Sequence, residues 1–162
     1  VGVTKVHDRS ELAGAFEEAF KYDNQLMVEK FVRGREFTCG VTSAYGDIRS
    51  LAVTEVVASN EFYDYNAKYT AVGHKLLTPA DITEEQTARI KRYAEKIFYN
   101  LDCKGVVRID FILSEDDGVA YFLEVNTIPG QTALSIVPGQ VTYNNLDIKE
   151  FYTKLALEAL NR

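Results

Sequence analysis

The sequence predicts an α+β domain in which an antiparallel sheet packs against helices. Helical and strand periodicities follow one another in the order α, β-meander, α, β-hairpin, α, which is the layout of helices laid on an antiparallel sheet. Hydrophobic residues make up 46% of the chain and charged residues 26%, a globular balance. There is no internal repeat, low-complexity tract or linker to divide the chain. A length of 162 residues is that of one domain, residues 1–162, able to bury a real core.

The elements follow from local pattern. Ser10 is placed to cap a helix running to about Tyr22, with Leu12, Ala15, Phe16, Ala19 and Phe20 at helical spacing. Leu26 to Val32 reads as a strand, and Arg33-Gly34-Arg35 as a break. Glu36 to Ser43 and Ile48 to Val57 read as two strands around the turn Ala44-Tyr45-Gly46-Asp47. Glu61 to Thr70 is aromatic-rich and irregular. Thr83-Glu84-Glu85-Gln86 fits a capping box, and Ile90, Tyr93, Ala94, Ile97, Phe98 and Leu101 continue it as an apolar stripe. Gly105 to Leu113 and Val119 to Val125 read as two strands joined across Ser114 to Gly118. Asp147 opens a last helix with Glu150 at the box position.

Charge and cysteine count exclude several classes. Eighteen basic and 24 acidic residues give a net charge of −6, which argues against nucleic acid as a partner while leaving room for a nucleotide held through a cation. Two cysteines, Cys39 and Cys103, form neither a CxxC pair nor a zinc spacing, so a reducing compartment is expected. No apolar run approaches the ~20 residues of a membrane span, and no membrane partner is expected. The chain begins at Val1 and its one methionine is Met27, which reads as a piece of a longer protein.

The second hairpin carries the chemistry. Side chains alternate faces along a strand, so Arg108 and Asp110 share one face, while Val107, Ile109, Phe111 and Leu113 take the other. On the return strand Glu124 and Asn126 share a face, opposed by Leu123 and Val125. A one-residue slip in pairing would turn the apolar set into water, so the register must bring Arg108, Asp110, Glu124 and Asn126 together, with Asp110 or Arg108 opposite Glu124. Two carboxylates and an amide oxygen suit a hard cation such as Mg²⁺. An arginine beside them suits an anion, a phosphate or a developing oxyanion. The plain alternative is a solvated sheet face with weak cross-strand ion pairs. The turn Asn126-Thr127-Ile128-Pro129-Gly130 leaves the strand where backbone N–H groups can meet an anion.

Four segments in order resemble the C-terminal part of the D-alanine–D-alanine ligases, of the ATP-grasp fold. Val1 to Val6 is similar to the end of that family's phosphate loop, and Val28 to Phe37 to its nucleotide hinge. Phe62 to Tyr69 is similar to its mobile loop. Gly105 to Asp110 with Leu123 to Gly130 is similar to its metal and oxyanion hairpin. The resemblance spans essentially the whole chain and implies an ATP-grasp fold fragment whose N-terminal domain and upstream subdomain lie outside it.

The resemblance also implies roles. Glu29, Lys30, Phe31 and Val32 would border the adenine of ATP, the substrate nucleotide, and Glu36 would hold the ribose. Lys68 would contact the transferred phosphoryl group. Asp110, Glu124 and Asn126 would hold two Mg²⁺ ions, with Mn²⁺ as a substitute. Arg108 and the Gly130 N–H would stabilise an oxyanion, and Ser135, Ile136, Tyr69 and Tyr63 would meet the second substrate. Taken alone, Ser135 reads as a helix cap and Phe31 as a core residue. The implied activity joins two D-alanines through an acyl phosphate, for peptidoglycan precursors in a bacterial cytoplasm, with a fragment inactive by itself and a homodimeric parent left open. The rivals are a sister ligase making D-alanyl-D-lactate or D-alanyl-D-serine, another ATP-grasp carboxylate–amine ligase, a non-catalytic nucleotide-binding module, and a structural domain. No Gly-x-Ser-x-Gly elbow or Gly-x₄-Gly-Lys-Ser/Thr loop is present.

Overall fold

The computed structural model describes residues 2–58 and 74–161. The elements in chain order are a 3₁₀ turn at Arg9–Glu11, α1 (Leu12–Ala19), β1 (Gly34–Thr42), β2 (Arg49–Ala58), β3 (His74–Leu77), α2 (Glu84–Asn100), β4 (Val106–Ser114), β5 (Ala120–Asn126), α3 (Ile136–Tyr143) and α4 (Ile148–Leu160). Among the described residues the strands form one sheet in the order β3-β2-β1-β4-β5, and every pairing is antiparallel.

The two sheet faces are buried by different helices. On one, Ile90, Ala94 and Phe98 of α2 pack on Phe37, Cys39, Val53, Val107, Ile109 and Phe111. The Thr83 capping box forms as predicted: the Thr83 hydroxyl accepts from the Gln86 N–H, and the Gln86 side chain accepts from the Thr83 N–H at 3.0 Å. On the other face Val137 and Val141 of α3 and Phe151 of α4 pack on Leu51. The β1–β2 register shifts between Cys39 and Val41, so Leu51 joins this second cluster while Val53 stays in the first.

Three sequence expectations are corrected. Ser10 caps no helix: it lies inside the 3₁₀ turn, whose N-cap is Asp8. The Asp8 carboxylate accepts from the Ser10 N–H at 2.8 Å and from the Ser10 hydroxyl at 2.6 Å. α1 follows with Glu11 as an N-cap whose side chain makes no cap bond, and it ends at Ala19, short of Tyr22, with no buried residue. Leu26 to Val32 is not a strand: its apolar content suits one, but a strand needs a ladder partner, and the segment has none among the described residues. Met27, Val28 and Phe31 are mostly exposed, and Phe31 stacks under the Lys5 ammonium rather than entering the core. The third correction, at Leu123, belongs to the site. The sequence pattern does not mark β3, and it marks α3 only through the Ser135 cap.

Candidate active site

β4 and β5 pair in one of the two registers that the sequence leaves open, with Asp110 opposite Glu124 and Arg108 opposite Asn126. Asp110 also lies opposite Thr38 of β1, and Thr38 opposite Thr54 of β2. Glu124, Asp110, Thr38 and Thr54 thus form one row across four strands. All but Glu124 are buried.

A buried carboxylate requires partners, and Asp110 has several. Arg108 donates to it twice, from Nε to Oδ1 at 2.9 Å and from Nη2 to Oδ2 at 2.7 Å. The Thr38 hydroxyl donates to Oδ1 at 2.5 Å. The pairing is planar and two-pointed, which only arginine offers. Thr38 carried no signal in the sequence, because a threonine in a strand reads as an ordinary β-former.

Immediately after Asp110 the β4–β5 register shifts, so that Phe111 pairs with Phe122. The bulge leaves Leu123 unpaired. Alternation predicts Leu123 on the core face with Val125. Val125 does pack against the core, but Leu123 is 43% exposed and lines the same cleft as Glu124.

That cleft has a volume of about 340 Å³ and is lined by Met27, Glu29, Glu36, Thr38, Val56, Arg108, Asp110, Leu123, Glu124 and Ile136. Six residues singled out from sequence, Glu29, Glu36, Arg108, Asp110, Glu124 and Ile136, therefore meet around one space. Met27, Thr38, Val56 and Leu123 were not anticipated there.

The other described candidates do not line the cleft. Lys30, Phe31 and Val32 continue the segment of Glu29, with Lys30 exposed. Asn126 turns its amide oxygen to the Ile128 N–H at 3.2 Å, closing the start of the loop that leaves β5. Ser135 is the N-cap of α3, as its residue type suggests, but its hydroxyl serves the loop instead of the helix, accepting from the Thr132 N–H at 3.1 Å. Gly130 faces it so closely that a Cβ there would stand 2.8 Å from the Ser135 hydroxyl. Lys68, Tyr69 and Tyr63 lie outside the described residues.

Among the described residues no group of three or more His, Cys, Asp and Glu side chains is gathered as metal ligands. The expected donor set has only two carboxylates, with the Asn126 amide as third. Its oxygens are hard donors and fit a small divalent cation. Asp110 would share its carboxylate between that cation and Arg108.

Comparison with known proteins gives this arrangement a context. The D-alanine–D-alanine ligase of Acetivibrio thermocellus is 40% identical over 162 residues, covering 100% of this chain and 43% of the relative. That of Porphyromonas gingivalis is 38% identical over 161 residues, covering 99% of this chain and 48% of the relative. Among solved structures, the VanG D-Ala:D-Ser ligase from Enterococcus faecalis superposes with a TM-score of 0.84 at 35% identity, over 96% of this chain and 45% of that one. The D-alanine–D-alanine ligase from Coxiella burnetii does so with a TM-score of 0.83 at 28% identity, over 98% and 41%. The chain thus spans less than half the length of these relatives. Its fold is that of an ATP-grasp ligase. The D-ala D-ala ligase C-terminus family matches residues 1–156, and the chain belongs to that family.

Proposed function

We propose that the full-length protein carrying this chain is an ATP-dependent ligase that joins two D-alanines into D-alanyl-D-alanine for peptidoglycan precursor synthesis in the cytoplasm. The observation that carries the reading is the convergence of Glu29, Glu36, Arg108, Asp110, Glu124 and Ile136 on one cleft in a chain of this family.

In this reading one carboxylate is first phosphorylated by ATP, and the amine of the second D-alanine then displaces phosphate. Glu29 to Val32 border the adenine and Glu36 takes the ribose hydroxyls. Asp110, Glu124 and Asn126 hold two Mg²⁺ ions, replaceable by Mn²⁺. The bound cations supply neutralisation of phosphoryl charge, the main demand of such a transfer. Lys68 meets the transferred group. Arg108, fixed in place by Asp110, presents a preorganised cation to the carbonyl oxygen that becomes negative when the amine attacks, and the Gly130 N–H adds a second donor. Ser135, Ile136, Tyr69 and Tyr63 face the acceptor. Residues outside this chain complete the ATP clamp and the first D-alanine site, so the isolated chain does not turn over. A homodimeric parent accords with the same reading.

The likeness to a D-Ala:D-Ser ligase favours one second reading, in which D-serine is the acceptor. Incubation of the full-length protein with Mg-ATP and D-alanine, following ADP release and product mass with D-serine and D-lactate in parallel, tests both. D-alanyl-D-alanine as the main product supports the first reading. ADP release only with another acceptor keeps the site and overturns the substrate. No ADP with any of them overturns the ligase reading.

A further inference from the structure

We propose that Gln140 is a positioning residue that fixes the acceptor side of the cleft to the strand holding Asp110; the proposal rests on the ligase reading above. Gln140 lies on the sheet-facing side of α3 between Val137 and Val141, and all three are fully or almost fully buried. A buried amide is costly unless its donors and acceptor are satisfied. Here they are. The Gly40 N–H donates to Gln140 Oε1 at 2.9 Å, and Gln140 Nε2 donates to the Thr38 carbonyl at 3.1 Å and to the Thr54 hydroxyl at 3.0 Å.

These partners sit where the β1–β2 register shifts, between Cys39 and Val41. One turn further along, Asn144 does the same for β2, accepting from the Ala52 N–H at 2.8 Å. Apolar packing alone would let a short helix slide; directional bonds at two successive turns set one position. Gly40 admits the amide, since a Cβ there would stand 2.6 Å from Oε1.

Both ends of this connection reach the cleft. On the strand side, Thr38 gives its carbonyl to Gln140 and its hydroxyl to Asp110. On the helix side, Ile136 lines the cleft one turn before Gln140, and Ser135 closes the loop from Thr132. The acceptor loop and the carboxylate are therefore linked through one side chain that does not line the cleft.

The test uses the full-length protein with Mg-ATP and D-alanine. Gln140→Leu keeps volume and removes all three bonds. Val141→Ala opens a cavity on the same helix without touching β1. We expect Gln140→Leu to raise the acceptor KM by about five- to tenfold, the worth of one or two hydrogen bonds, with the ATP KM within about twofold. The Gly40 amide should exchange faster with solvent in this variant and not in Val141→Ala. Should Gln140→Leu not fold, Gln140→Asn, one methylene short of spanning both strands, carries the same two readouts. An acceptor KM at the wild-type value, or one shifted equally by Val141→Ala, overturns the proposal. Failure of the wild type to make D-alanyl-D-alanine overturns the ligase reading first, and this proposal with it.

Discussion

Arg108 grips Asp110 from two residues away on the same strand, through two hydrogen bonds of 2.9 and 2.7 Å, with both side chains largely buried. Removing one partner of such a pair leaves the other charged and enclosed, at a cost of about 3 kcal/mol. Arg108→Ala should therefore lower stability by roughly that amount in urea unfolding and, in the full-length protein, slow dipeptide formation by about 10²–10³. Arg108→Lys should recover part of the stability but little of the rate, because an ammonium cannot make the planar two-point contact. A lysine variant with wild-type turnover would remove Arg108 from the chemistry.

Glu124 makes the opposite prediction. It stands across the ladder from Asp110 but is exposed. Glu124→Gln should leave unfolding free energy within about 0.5 kcal/mol of wild type. It should also cut dipeptide formation by about a hundredfold or more, and diminish the rise in melting temperature that Mg-ATP gives by mass action. Full activity with Gln at this position would exclude Glu124 as a cation ligand.

The legible parts of this molecule are those fixed by local pattern. The shared face of Arg108, Asp110, Glu124 and Asn126 followed from apolar alternation, because a one-residue slip would expose a row of Val, Ile and Phe, whereas the choice of Asp110 over Arg108 as the partner of Glu124 did not. The Thr83 cap followed from four adjacent residues. What escaped depends on distant partners. The apolar content of Leu26 to Val32 is the same whether or not another strand lies beside it. The bulge after Asp110 depends on how two strands fit, so the exposure of Leu123 could not be read from either. The helix α3 contains Pro138 and Gly139, poor helix formers, although proline is tolerated in a first turn. Thr38 and Gln140 are polar residues whose burial is visible only once the row across the sheet is assembled.

Glycines separate tight from open backbone. A Cβ on Gly34 would stand 2.2 Å from the Leu113 carbonyl oxygen of the neighbouring strand, while one on Gly14 or Gly139, both helical, meets nothing within 4 Å. Gly34→Ala should destabilise by about 2–4 kcal/mol, since the atom in the way is backbone. Gly14→Ala and Gly139→Ala should each stabilise by about 0.5–1 kcal/mol through reduced chain entropy in the unfolded state. Urea unfolding of the three variants checks both signs.

Cys39 provides a pH prediction. It is fully buried behind the site strand, between the sheet and α2, and burial pushes its thiol from 9.0 up to about 12, with Glu95 adding and Lys91 opposing. Below pH 9 both folded and unfolded forms carry the proton, and the thiol has no effect on the pH dependence. Between about 9 and 12 the unfolded chain loses the proton while the folded one keeps it, so stability falls as pH rises through that window. Alkylation requires the thiolate and access to it. With iodoacetamide near neutral pH, the half-buried Cys103 should label in the native protein, although burial raises its thiol too. Cys39 should label only as fast as the domain unfolds, and urea should equalise the two. Native-state labelling of Cys39 at the rate of Cys103, read by peptide mass, would mean that the α2 face of the sheet opens locally, without global unfolding.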